Sequence, residues 1–397
     1  MTAKTGPLDG VKVLDLTRVL AGPLCTMMLG DMGADVVKIE APGRGDDTRA
    51  WGPPFVEGES AYYLGVNRNK RSVVLDVAAD GAKEKLGKLI SEADIVIDNY
   101  KLGTLDRWGF DDAWFDREAP RAVRCSITGY GASGPDGSRP GYDFILQAES
   151  GLMSICGEQD GTPMKYGVAI VDICTGMLAC NGVLAALHER DASGKGQKVD
   201  VSLFESSLFM LANVASNYLI GGGRGARFGN GHPNIVPYTV YETKDASIAL
   251  AVGNDGQFGR FAELVGYPEW SEDQRFATNK DRVNNRQEID RLIGEALSAD
   301  SADNWIARLQ ATGIPCGRIN SVAEALETEQ AQARRMVETI DHPKVGPVRV
   351  VGAPFKFSKT PATFRRHPPT LGENTEEVLA HGFAGSSSGG SGDPSEA

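Results

Sequence analysis

Val11-Lys-Val-Leu-Asp-Leu16, the small-residue segment Ala21 to Gly33, and Asp35-Val-Val-Lys-Ile-Glu40 decide the fold. Two short apolar runs rich in β-branched residues flank a stretch long enough for a helix, which predicts a β-α-β unit. The alternation continues through Ser72-Val-Val-Leu-Asp76, a charged helix near Ala82 to Ala93, Asp94-Ile-Val-Ile-Asp98 and Ala122-Val-Arg-Cys-Ser-Ile127. Strands alternating with helices predict an α/β fold, with an open parallel sheet wrapped on both faces.

Residues 143 to 220 read as mostly helical, with one strand at Lys198 to Ser202 between helices near 173 to 189 and 204 to 219. Gly221-Gly-Gly-Arg-Gly225 ends that pattern, because glycine-dense runs favour turns. Beyond it, Tyr238 to Lys244 and Ser247 to Gly253 predict a hairpin, and helical segments run on to about Glu338. A strand at Gly346 to Gly352 and a short helix at Glu373 to His381 return to the first domain. The expected layout is a large Rossmann-like domain of 1–220 with 340–384, a smaller α+β domain of 225–335, and a flexible glycine-serine tail of 385–397.

With 397 residues, 41% hydrophobic and 24% charged, the chain suits two packed domains. No apolar stretch reads as long enough to span a bilayer, and Met1 to Asp9 lacks the pattern of a leader, so no membrane partner and a cytoplasmic location are expected. The six cysteines are scattered without a CxxC pair, which predicts neither disulfides nor structural zinc. A formal charge of −12 argues against nucleic acid as a partner, since phosphate contacts need a basic surface. Any phosphate-bearing ligand must then find a local basic pocket, which makes individual arginines informative.

Glu40 at the end of the second strand invites a dinucleotide reading, because an acid there binds ribose hydroxyls. The turn Thr17-Arg-Val-Leu-Ala-Gly-Pro23, however, lacks the GxGxxG spacing that lets amides approach a pyrophosphate. Gly221-x-Gly223-x-x-Ala226 fits the variant but precedes a proline-rich segment rather than a helix. Neither GxxxxGK[ST] nor HExxH is present, and Gly131-Ala-Ser133-Gly134-Pro135 falls one glycine short of GxSxG. The five histidines, at 188, 232, 342, 367 and 381, suggest no local metal site.

Val168-Ala-Ile-Val-Asp172-Ile-Cys-Thr-Gly176 places one acid between an apolar run and an apolar helix, Met177 to His188. Two readings coexist. Asp172 is a helix N-cap, its oxygen accepting from an early helical amide; or it is a reactive carboxylate at a helix N-terminus, where the dipole favours negative charge.

Leu8 to Thr17, Ala21-Gly-Pro23, Gly33-Ala-Asp-Val-Val-Lys-Ile-Glu40, Asn67-Arg-Asn-Lys-Arg-Ser72, Asp98-Asn-Tyr100, Gly129-Tyr-Gly131, Tyr142-Asp143 and Val171-Asp172 together resemble the family III CoA-transferases, such as formyl-CoA transferase. The resemblance implies transfer of coenzyme A between carboxylic acids, with no permanently bound cofactor and with acyl-CoA as substrate. Asp172 would be the nucleophile, forming a mixed anhydride and then an aspartyl-CoA thioester. The resemblance places Val19, Leu20, Leu75, Asn99, Tyr100, Lys101, Arg107 and Tyr142 along the CoA site. It places Asp143, Asn230, Gly231 and His232 on the acid side. It further implies two subunits threaded through each other as an interlocked homodimer.

The related α-methylacyl-CoA racemases pair the aspartate with a histidine in a Gly-His-Asp context, where this chain has Gly141-Tyr142-Asp143. Tyrosine titrates far above imidazole, which disfavours racemisation. Formyl-CoA transferase carries an arginine after Ile-Glu; here Ala41 stands there, and the phosphate contact is expected to shift to Arg44. Gly229-Asn-Gly-His-Pro-Asn-Ile-Val-Pro-Tyr238 replaces a glycine-rich lid. That version resembles the branch acting on succinate, glutarate, citramalate or mesaconate.

Overall fold

A computed structural model describes residues 6–387; of the expected tail, 388–397 lie outside the described residues. The described residues divide into two compact units, one of 6–150, 167–210 and 329–387, the other of 151–166 and 211–328. The boundary therefore differs from the glycine run at 221: Gly151–Tyr166 and the helix Ala212–Gly221 group with the smaller unit.

The larger unit is built on a six-stranded parallel sheet. Its strands are β1 (Lys12–Leu16), β2 (Asp35–Glu40), β3 (Lys70–Val74), β4 (Ile95–Asp98), β5 (Val123–Thr128) and β6 (Lys198–Ser202), in the order β3-β2-β1-β4-β5-β6. Val13 pairs with Val36 on one side and Ile95 on the other, so β1 is central and its Val13 and Leu14 are fully buried. Near-continuous apolar runs are what a parallel strand covered on both faces requires. Helices α1 (Ala21–Asp31), α2 (Ala82–Glu92), α3 (Asp143–Glu149), α4 (Ile170–Ser193) and α5 (Leu203–Met210) connect or cover it. α2 buries Leu86, Leu89 and Ile90 against Leu14, Val37 and Val96.

Three expectations need correction. β3 begins at Lys70, two residues before the apolar run, because Lys70 and Arg71 are buried by ion pairing with Asp15 and Asp35. The helical reading to Glu338 fails at Val337–His342, which pairs antiparallel with Gly346–Val351. And α4, with 24 residues, is long and apolar enough by composition to cross a membrane. In the fold it packs on α1, β5, β6 and α5, so its apolarity serves a core.

The final segment returns to the sheet edge. Asn374 N donates to Ser72 O (2.9 Å), Ser72 N to Asn374 Oδ1 (3.1 Å), and Val74 N to Thr375 Oγ1 (2.9 Å), which occupies the open edge of β3. The described backbone continues through a 3-10 turn, Gly382–Ser387, past the expected start of the tail.

In the smaller unit, strands Cys316–Arg318, Ser247–Ala251 and Tyr238–Glu242 form an antiparallel sheet in that order. Its core gathers Phe258, Phe261, Phe276, Ile293 and Trp305.

Candidate functional site

The chain runs from β1 outward to β2 and β3, then crosses back to β4 on the other side of β1. Strand order reverses between β1 and β4, and ligands of open α/β sheets bind in the crevice outside the carboxyl ends of such strands. There the loops after β1 (Arg18, Val19, Leu20), after β4 (Asn99, Tyr100, Lys101) and after β5 (Thr128, Gly129) line a cleft of about 220 Å³ with Tyr142 and Asp172. An adjoining cleft of about 530 Å³ shares Arg18 and Tyr100 and is walled by Ala41, Arg44, Leu75, Lys83 and Trp108.

Buried polar contacts hold these loops. Asp98 accepts from Tyr100 N (3.1 Å) and Ser126 Oγ (3.0 Å), and burial pushes its carboxyl up to about 6. Asn99 grips the first loop from both sides: Oδ1 takes Arg18 N (3.0 Å), while Nδ2 donates to Arg18 O (2.8 Å). Val19 has φ +74°, unusual for a β-branched residue, and its amide donates to Asp46 Oδ1 (3.2 Å). Below it, Lys38 donates to Thr17 O (2.7 Å) and pairs with Asp46 (2.9 Å), and Lys70 pairs with Asp15 (3.1 Å). Burial alone would raise the Asp15 carboxyl, but Lys38 and Lys70 outweigh it and hold it well below the usual range.

Asp172 is not the cap of α4. It is the third helical residue, and Ala169 at the cap position offers no side-chain acceptor. The cap comes from elsewhere: Asp143, buried at the start of α3, accepts through Oδ1 from Val171 N (2.8 Å) and Asp172 N (3.3 Å), while Oδ2 accepts from Gln147 Nε2 (2.6 Å). A borrowed cap does what a local one would, worth ~1 kcal/mol, and leaves the Asp172 carboxylate without a hydrogen-bond donor among the described residues. Burial first, and the Asp143 charge second, push the Asp172 carboxyl up to about 7.

Two glycines set that arrangement. A Cβ on Gly141 would lie 2.5 Å from Gly129 Cα, and one on Gly129 would lie 2.6 Å from Gly141 N, so only a glycine pair lets the Tyr142-Asp143 turn approach the end of β5. Gly176 similarly lets α4 approach α1, where a Cβ would meet Ala21 O at 2.5 Å.

Of the other expected residues, Tyr142 is 66% exposed on the cleft wall. Leu75 lines the larger cleft. Arg107 lines neither: it is exposed on the turn Thr104–Arg107 and bonds to Thr104 Oγ1 (2.8 Å). Asn230, Gly231 and His232 belong to the smaller unit. There His232 Nδ1 accepts from Asn234 N (3.0 Å), its carbonyl accepts from Arg286 (2.7 Å), and burial followed by the Arg286 charge pushes its pKa down. Glu40 is taken as well: Arg49 grips it bidentately (2.8 and 2.7 Å), and Ser72 Oγ (2.6 Å) and Asp46 N (2.9 Å) complete its shell. The Glu40 carboxylate is thus engaged within the protein rather than offered to a ribose, which disfavours the dinucleotide reading.

Arg18 and Lys83 also line the clefts, at positions that carried no motif of their own. Burial, then the charges of Asp172 and Asp143, push the Tyr62 hydroxyl up to about 12. Arg18 sat inside the quoted Thr17-Arg-Val-Leu motif, and its place directly after β1 was the available signal.

Comparison with known proteins accords with this geometry. The CoA-transferase family III profile matches residues 8–375. A succinyl-CoA:glutarate CoA-transferase of Mus musculus is 41% identical over 373 residues, covering 94% of this chain and 86% of that protein. A succinate–glutarate CoA-transferase of Agrobacterium fabrum is 42% identical over 386 residues, covering 96% of each. The crystal structure of a CAIB/BAIF family protein from Brucella suis matches with a TM-score of 0.82 at 42% identity, covering 95% of this chain and 99% of that one. The chain belongs to CoA-transferase family III and is an enzyme of that family.

Proposed function

We propose that the enzyme moves coenzyme A from an acyl-CoA to a small dicarboxylic acid through Asp172. The observation that carries this is a half-buried carboxylate with no hydrogen-bond donor among the described residues, on the cleft at the strand-order reversal. Similarity to proteins named for succinate and glutarate supports the dicarboxylate class.

Asp172 attacks the thioester carbonyl, forming a mixed anhydride and releasing CoA thiolate. The thiolate attacks the aspartyl carbonyl, giving aspartyl-CoA thioester and the free donor acid. The acceptor carboxylate attacks that thioester, making a second anhydride and thiolate again. Attack of the thiolate on the acceptor's acyl carbon yields the new acyl-CoA and restores Asp172. The positive end of α4 favours negative charge developing beside its first turn. Leu75, Tyr100 and Trp108 supply apolar walls for the nucleotide end of CoA, and Arg44 and Lys83 supply cations for its phosphates. Lys101 and Tyr142 line the smaller cleft, and we assign Lys101 to the CoA phosphates and Tyr142 to covering the thioester. We assign Asn230, Gly231 and His232 to acceptor binding and the assembly to an interlocked homodimer, both on the family resemblance.

Incubation with an acyl-CoA followed by peptide mass spectrometry is expected to show a hydroxylamine-sensitive adduct at Asp172. Asp172→Ala is expected to bind CoA and lose turnover; retained turnover rejects the mechanism.

A further inference from the structure

We infer that Arg18 reads the substrate class, its guanidinium receiving the second carboxylate of a diacid whose first carboxylate reacts at Asp172. This rests on the CoA-transfer reading and adds the group that recognises the far end of the acid. Arg18 and Asp172 line the same small cleft. In a chain of charge −12, with Asp143 beside Asp172, a dianion needs a cation inside that cleft to stay there.

Three cations line it: Arg18, Lys101 and Arg139. Arg139 is committed, paired with Asp136 and Glu149 and stacked over Tyr130 at 4.4 Å. Lys101 is exposed, a mobile point charge suited to phosphate. Arg18 differs from both. Its main chain is clamped by Asn99, yet among the described residues its side chain holds one polar contact, Nη1 to Asp47 at 3.3 Å, with the two side chains 41% and 38% exposed. An ion pair that long and open contributes little and yields readily. Nε is buried without an acceptor, so the guanidinium is not satisfied by the protein. A planar fork on a clamped main chain, still owed an acceptor at Nε, matches a carboxylate geometrically. Arg18 also borders the larger cleft, which makes CoA phosphate the competing ligand.

The full chain is assayed for CoA exchange with glutarate and with pentanoate, a diacid and a monoacid of equal length, at a fixed succinyl-CoA concentration. Because donor effects cancel in the ratio of the two kcat/KM values, that ratio isolates the acceptor's far end. The wild type is expected to favour glutarate, and Arg18→Gln to lower the ratio roughly 10- to 100-fold, mainly through the KM for glutarate, with Arg18→Lys restoring part. Asp47→Asn, which keeps Arg18 and removes its competitor, is expected to lower the KM for glutarate. An unchanged ratio in Arg18→Gln overturns the inference, and if the KM for succinyl-CoA rises alone, Arg18 serves the CoA phosphates. A wild type that transfers CoA to neither acid defeats the underlying reading instead, so the two failures are separable.

Discussion

As the proposed nucleophile, Asp172 joins two demands that pull against each other: it must be ionised to attack, while burial and then the Asp143 charge push its carboxyl up to about 7. Below that pH the neutral form dominates and cannot attack; above it the carboxylate does. kcat/KM is therefore expected to rise with pH through about 7, with the wild type near pH 6 running at roughly a tenth of its plateau. Asp143→Asn keeps an oxygen for the amides of Val171 and Asp172 and removes the charge, so the acid limb should move to lower pH. A pH series on both proteins decides it, and an unmoved limb would mean that Asp143 acts only as a cap. The sequence marked Asp172 because a lone acid between apolar runs demands a reason. It could not show that the helix is capped by Asp143, because that contact joins residues 28 apart and has no local signature.

The placement of α4 illustrates how elements become legible or stay hidden. Its apolar content was plain, but its start at Ile170 was not, because Ala169 carries no capping side chain to announce it. Strands β1 and β2 were legible for the opposite reason: each is an apolar run covered on both faces. Gly176 was equally silent in sequence, where a glycine inside a helix reads as a weakness. Replacing it with alanine would ordinarily gain about 1 kcal/mol of helix propensity. Here the added Cβ would meet Ala21 O at 2.5 Å, a backbone atom that cannot rotate away. Overpacking of that kind costs ~1–3 kcal/mol, so Gly176→Ala is expected to destabilise on balance. Because Ala21 and Asp172 flank one cleft, kcat should fall with stability. Urea titration and steady-state rates test both; a more stable, fully active variant would show that α1 yields to α4.

At the scale of the molecule, the sequence suggested a strand and a helix of 340–384 beside the first domain, whereas the stretch that groups with the larger unit begins at Glu329; its seat on β3 has no local signature, since Ser72 and Asn374 meet across 302 residues. The surface of that unit carries a further sign. Tyr142, Phe144 and Ile145 on and beside α3, and Leu208 and Phe209 on α5, are exposed, Phe209 by 74%. α3 and α5 pack together, so these side chains stand on neighbouring elements. Exposed apolar side chains near the proposed nucleophile suit an interaction surface, and the proposed second subunit would cover them. Light scattering is expected to give twice the mass of one chain. Ordinary dimers separate on dilution, whereas threaded rings must unfold first, so that mass should persist at nanomolar concentration. The urea midpoint, by contrast, should rise with protein concentration, because unfolding and dissociation then occur together. A monomeric mass with a concentration-independent midpoint would rule out the threaded assembly and leave these aromatics without a partner.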